Sequence, residues 1–127
     1  MQAAVRRWGP VVAWAALIFV LSSISGLGTG LGLWDLVLRK IAHATEFAIL
    51  AALLVRASRR PGLAIALGIA YAISDEVHQA FVPGRHGAPL DVAIDAVGVI
   101  VGAYLAKRRW PEAEIIRSRD ELSDSHG

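Results

Sequence analysis

The chain contains no cysteine. Disulfide frameworks, thiolate nucleophiles and cysteine-ligated zinc are therefore excluded, although the compartment is not read from that absence. Charge is scarce as well: Asp, Glu, Lys and Arg make up 19% of the 127 residues, below the soluble average of roughly 25%. No Gly-x-Ser-x-Gly, Walker loop or dinucleotide fingerprint is present, so no motif points to acyl transfer or nucleotide chemistry. Gly26, Gly28, Gly30 and Gly32 are too evenly spread for a phosphate loop and read as the flexible outer end of an apolar run.

What is plentiful is hydrocarbon. Hydrophobic residues account for 55% of the chain and the mean hydropathy is +0.51. The length suits one domain. Four apolar segments can be drawn, at 10–33, 36–55, 61–82 and 89–106. Each is roughly 18–24 residues long, enough at 1.5 Å per residue to cross a hydrocarbon core of about 30 Å. None alternates with the period of a strand. The expectation is an all-α integral membrane bundle of four transmembrane helices. A short cytoplasmic N-terminus (1–9) precedes it, and a polar, disordered cytoplasmic tail (107–127) follows. Two alternatives are a cleaved signal peptide within residues 1–30 and a soluble all-α bundle. The first apolar run is long for a signal peptide and lacks an Ala-x-Ala site.

The net charge of +2 and the pI of about 9.5 could suggest nucleic acid. The basic residues instead lie between the apolar runs, which is a topology signal and not a binding face. Arg6, Arg7, Arg56, Arg59, Arg60, Lys107, Arg108 and Arg109 fall on one side, and Arg39, Lys40 and Arg85 on the other. The positive-inside rule then places both termini in the cytoplasm. Trp8, Trp34 and Trp110 near segment ends read as interfacial anchors, His86 and His126 as solvated, and Asp35 as the N-cap of the second segment.

With that topology Lys40, His43 and Glu46, then Asp75, Glu76, His78 and Gln79, then Asp91 and Asp95 all occupy the outer half of the membrane. An ionisable side chain at that depth costs roughly 2.5–3.5 kcal/mol on insertion scales, so these groups must face the bundle interior. Asp75, His78, Gln79 and Val82 share one face, as do Asp91, Asp95, Gly98 and Gly102. Gly98-Val-Ile-Val-Gly102 is a GxxxG, expected to serve helix packing within the monomer rather than a homo-oligomer. Pro83-Gly84 reads as a turn that aims Arg85 back over the site. Six outer-half acids (Asp35, Glu46, Asp75, Glu76, Asp91, Asp95) face three fixed cations. The excess predicts protonated acids or a bound cation.

On Lys40-x-x-His43-x-x-Glu46-Phe47, Asp75-Glu76-x-His78-Gln79-x-Phe81-x-Pro83-Gly84-Arg85 and Asp91-x-x-x-Asp95-x-x-Gly98-x-x-x-Gly102, the chain resembles the VanZ-like family. The resemblance covers roughly residues 10–106; family members often carry Asn where this chain has Asp95. It implies a multi-pass protein of the bacterial cytoplasmic (inner) membrane, linked to cell-envelope phenotypes and glycopeptide resistance. It implies no agreed reaction.

Four functional readings follow from the residues. The first is a site for an anionic, lipid-linked or phosphate-bearing envelope component. Lys40, Gln79, Arg85, Asp91 and Asp95 would bind it, and His43, Glu46, Asp75, Glu76 and His78 are the candidates for proton transfer. The residues leave catalysis and mere binding both open. The second is a structural staple in which Lys40 pairs with Glu46 or Asp75, and Arg85 with Asp91. The third is a divalent metal held by His43, Glu46, Asp75 and His78 on facing helices; Lys40 nearby argues against it. The fourth is ion or proton transport, for which Tyr71, Ser58 and Tyr104 make too sparse a path through the inner half. Ser74 as a nucleophile is disfavoured.

Overall fold

The computed structural model describes residues 2–23, 33–81 and 89–110, together with Ser123. Among these residues the chain forms four helices and no strand: α1 (Gln2–Ser23), α2 (Leu33–Ser58), α3 (Pro61–Ala80) and α4 (Pro89–Arg109). The all-α expectation holds. Helices α1, α2 and α4 are long and apolar enough to cross a membrane. α3 has the length, at 20 residues, but its last two turns carry Ser74, Asp75, Glu76, His78 and Gln79. The expected turn at Pro83-Gly84, the glycines at 26–32 and the tail from 111 on lie outside the described residues, Ser123 excepted.

The helix ends differ from the apolar segments for local reasons. α1 begins at Gln2 because Ala3, Ala4 and Arg6 are good helix formers that extend the apolar run backwards. Pro10 then lies inside α1 and cannot donate to the carbonyl of Arg6. The Arg56 guanidinium of α2 donates to that same carbonyl at 3.2 Å, satisfying the acceptor that Pro10 leaves open. α2 begins at Leu33, so Asp35 lies in its first turn and not at the expected cap. α4 runs on through Lys107, Arg108 and Arg109, whose charges suit the negative end of a helix dipole.

The link between α2 and α3 is only two residues long. Arg59 takes a positive φ of 55°, the left-handed conformation in which helices commonly stop. Its N–H donates to the Val55 carbonyl at 2.8 Å. The Ser58 hydroxyl donates to the Leu54 carbonyl at 2.7 Å and accepts from the Arg60 N–H at 3.1 Å. Pro61 opens α3 at a position where no backbone donor is required.

Polarity is turned inside out relative to a soluble bundle. Val12, Phe19, Val20, Leu38, Ile41, Ile73, Val77, Val97, Ile100 and Leu105 are exposed, while Ser22, Asp75, Gln79 and Asp95 are buried. An apolar exterior this extensive is the mark of a membrane-facing surface. The interior also has an apolar part, in which Ile18, Phe47, Leu50, Val55 and Val99 are fully enclosed.

The most extensive interface joins α2 to α4. Gly98 lies on the backbone of Ala44 and Gly102 on that of Ala48, so closely that a Cβ at Gly102 would meet the Ala48 Cα at 2.7 Å. Two small residues four apart on each helix thus bring the backbones together, and the GxxxG is used within the chain. The register also shows that α2 and α4 run parallel. The middle of α1 is fastened by Trp14 Nε1, which donates to the Glu46 carbonyl at 2.9 Å, and by the Tyr71 hydroxyl, which donates to the Ala15 carbonyl.

Candidate functional site

Close α2–α4 packing determines what lies above it. One turn back from Ala44 on α2 is Lys40, and seven residues back from Gly98 on α4 is Asp91; their side chains form an ion pair. His43 and Asp95 come next along the same two helices. His43 Nδ1 stands 4.0 Å from Asp95 Oδ1 and 3.8 Å from Glu46 Oε2. The staple expected between Lys40 and Glu46 or Asp75 is therefore replaced by Lys40 with Asp91. The parallel register of α2 and α4 is the reason.

α3 delivers the third side. Asp75 is 4% exposed, as is Asp95. Gln79 Nε2, one turn further on, donates to Asp75 Oδ2 at 3.1 Å, and the Ser22 hydroxyl of α1 lies 3.5 Å from the same nitrogen. Ligand atoms of His43, Asp75 and Asp95 all lie within 4.8 Å of one another. Asp75 Oδ1 and Asp95 Oδ1 are buried and have no hydrogen-bond partner among the described residues. Nearly every buried polar atom in a folded protein is satisfied, so two orphaned carboxylate oxygens in one cluster call for an explanation.

A model of the VanZ/LLP1 family matches residues 6–110. The chain belongs to the VanZ/LLP1 family. No curated protein and no solved structure matches it. The family match takes in all of α2, α3 and α4 and most of α1, so every residue of the cluster falls within it.

Of the ten expected site residues in this VanZ/LLP1 chain, the structure gathers His43, Asp75 and Asp95 at the centre, with Gln79 and Glu46 beside them. Lys40 and Asp91 form their own pair at the edge. Glu76 is half-buried on α3. Arg85 lies outside the described residues, and with it the expected pair between Arg85 and Asp91. His78 is turned away from His43. Its Nε2 is 2.9 Å from the Ser23 hydroxyl and its ring stacks on Phe19, centroids 4.3 Å apart. The α3 face that holds Asp75, His78 and Gln79 is wide enough for one edge to reach α1 while the other faces α2 and α4.

α1 is the participant that motif spacing alone did not assign. Ser22, Ser23 and Phe19 reach the polar end of α3, so the site involves four helices and not the three that carry its ionisable groups. The signal in the sequence was the Ser22-Ser23 pair ending an otherwise apolar run.

The cluster has defined chemical abilities. His43, between Glu46 and Asp95, has the neighbours that orient an imidazole for proton transfer. Asp75 is held at one oxygen by Gln79, and its other oxygen is buried with no hydrogen-bond partner among the described residues. The set His43, Asp75 and Asp95 also has the composition of a metal centre, one imidazole and two carboxylates from three helices.

Proposed function

We propose that this VanZ/LLP1 chain is a multi-pass protein of the bacterial cytoplasmic membrane whose polar cluster binds or acts on an anionic envelope component. The component is lipid-linked or phosphate-bearing and is met at the outer leaflet. Both termini lie in the cytoplasm, and α3 is the fourth span. The orientation is supported by the basic residues around Arg6, Arg56 and Arg108, which lie at the helix ends away from the cluster.

The observation that carries the reading of a functional site is the burial of Asp75 and Asp95 with oxygens that no described group satisfies; the anionic nature of the ligand rests on Arg85 in the sequence. A staple has no use for such oxygens, because unpaired buried carboxylates oppose folding. Intramembrane ionisable groups that do not serve packing mark a functional site. Arg85, whose guanidinium suits phosphate, supplies the anion-binding charge in this reading. The Lys40–Asp91 pair favours a second reading, in which the charges serve helix packing alone.

Two experiments separate the readings. Full-length protein in detergent is stabilised against heat by polyprenyl phosphate and not by the neutral polyprenol, and Arg85→Ala weakens that effect by about tenfold or more, the loss expected of a charged hydrogen bond. In cells, Arg85→Ala, Glu76→Gln and His43→Ala accumulate normally and lose the glycopeptide tolerance that the wild type confers. Equal responses to the two lipids would contradict the proposal. Loss of accumulation in all three variants would support the packing reading.

A further inference from the structure

We infer that His43, Asp75 and Asp95 form a binding site for one divalent first-row transition cation, such as Mn²⁺, Fe²⁺ or Zn²⁺. The inference stands on the geometry of the three side chains and does not depend on which envelope component the protein meets.

Three features support it. The ligand atoms come from α2, α3 and α4 and lie within 4.8 Å of one another. Metal–ligand bonds of roughly 2.0–2.2 Å put tetrahedral ligand atoms about 3.5 Å apart, so the widest separation has to close by a little over an ångström, within reach of side-chain rotation. Next, both carboxylates are more than nine-tenths buried, and each presents an oxygen with no hydrogen-bond partner among the described residues. A dication with two carboxylates and a neutral imidazole is electrically neutral, a form that the interior of a membrane bundle can hold. Finally, Gln79 Nε2 donates to Asp75 Oδ2 and Oδ1 is left without a partner among the described residues, as a hydrogen-bonding support leaves a ligating carboxylate.

The set of donors selects the class of ion. An imidazole is a poor ligand for Mg²⁺ or Ca²⁺ and a good one for Mn²⁺, Fe²⁺ and Zn²⁺. Lys40 does not compete, because its ammonium is engaged by Asp91. The rival cation is an imidazolium on His43. At 4.0 Å from Asp95 Oδ1 it makes no hydrogen bond there, and it does not satisfy Asp75 Oδ1.

The test uses full-length protein in detergent, stripped with a chelator and titrated with Mn²⁺ or Zn²⁺ alone. Co²⁺ serves as an absorbing probe of the ligand field. The wild type takes up one ion per chain, gives Co²⁺ d–d bands and melts at higher temperature with the ion than without. Asp75→Asn and Asp95→Asn lose affinity by about 100-fold or more, and Gln79→Ala by about tenfold. Ser23→Ala, which touches only the His78 side, binds as the wild type does. Without ion, Asp95→Asn melts no lower than the wild type, because it removes a buried charge and no hydrogen bond to Asp95 Oδ1 is present among the described residues. Wild-type protein that takes up no ion and gives no Co²⁺ band overturns the inference, whatever the variants do. So does undiminished binding in Asp95→Asn. Polyprenyl phosphate binding that persists in chelator, without ion uptake, would overturn this inference alone; ion uptake without lipid binding would overturn the anionic-component reading alone.

Discussion

Gly102→Leu separates α4 from α2 and costs the bundle on the order of 3 kcal/mol or more. Overpacking a core usually costs about 1–3 kcal/mol, when flexible side chains yield to the added atoms. At Gly102 no flexible group is available to yield. Even the first added carbon meets the Ala48 backbone, its Cα at 2.7 Å and its carbonyl closer still. The helices must move apart, and Gly98 on Ala44 is carried with them. Two other glycines provide the scale. At Gly68 the nearest atoms are the methyl groups of Val99, at 2.8 and 3.0 Å, and Gly68→Ala costs about 1 kcal/mol because that side chain can shift. At Gly62 nothing lies within 4 Å, and Gly62→Ala is neutral or gains about 0.5 kcal/mol of helix propensity. The order Gly102, Gly68, Gly62 is read from unfolding in mixed SDS micelles followed by circular dichroism. Equal effects at Gly102 and Gly62 would mean that α2 and α4 are not in backbone contact.

Lys40→Met leaves Asp91 without its partner and lowers stability by about 2 kcal/mol. The figure lies between the 3–5 kcal/mol for breaking a fully buried pair and the fraction of a kcal/mol for an exposed one. Both side chains are about a third exposed, at 31% and 28%. Asp91→Leu alone has a similar effect for the converse reason. The double replacement restores most of the loss, because no charge is then left in apolar surroundings and the two new side chains fill the space. A double-mutant cycle by the same unfolding assay gives a coupling of about 1.5 kcal/mol or more. Additive losses would show the two groups to be solvated separately. A coupling of that size would give Lys40 a part in holding the polar end together through Asp91.

Helix number and type were legible in the residues, because a bilayer imposes a length and forbids unsatisfied backbone on the chain that crosses it. The meeting of His43, Asp75 and Asp95 was legible too: lipid makes separate exposure of such groups too costly. Gly98 and Gly102 announced a close approach on the face that carries Asp95. The choice of partners was not legible. Spacing states which residues share a face, but not how far one helix is rotated or shifted against the next. That rotation gives Lys40 to Asp91 in preference to Glu46, and sends His78 to Ser23 and Phe19. Nor did the pattern reveal α1's part, since two serines ending an apolar run are ordinary by composition. The bond from Arg56 to the Arg6 carbonyl was hidden for a different reason: it answers a vacancy made by Pro10, and that vacancy exists only once residues 2–9 are helical.

The central claim is that three helices turn their titratable side chains to one shared cluster inside the bundle. The chain's lack of cysteine permits a direct test in membranes with paired cysteine replacements and a short bifunctional thiol reagent. His43→Cys with Asp95→Cys, and His43→Cys with Asp75→Cys, are expected to cross-link within one chain in high yield. Ile41→Cys with Val97→Cys, two exposed positions on the same helices as His43 and Asp95, is expected not to. Linkage of the Ile41 and Val97 positions, with neither His43 pair linked, would contradict the account.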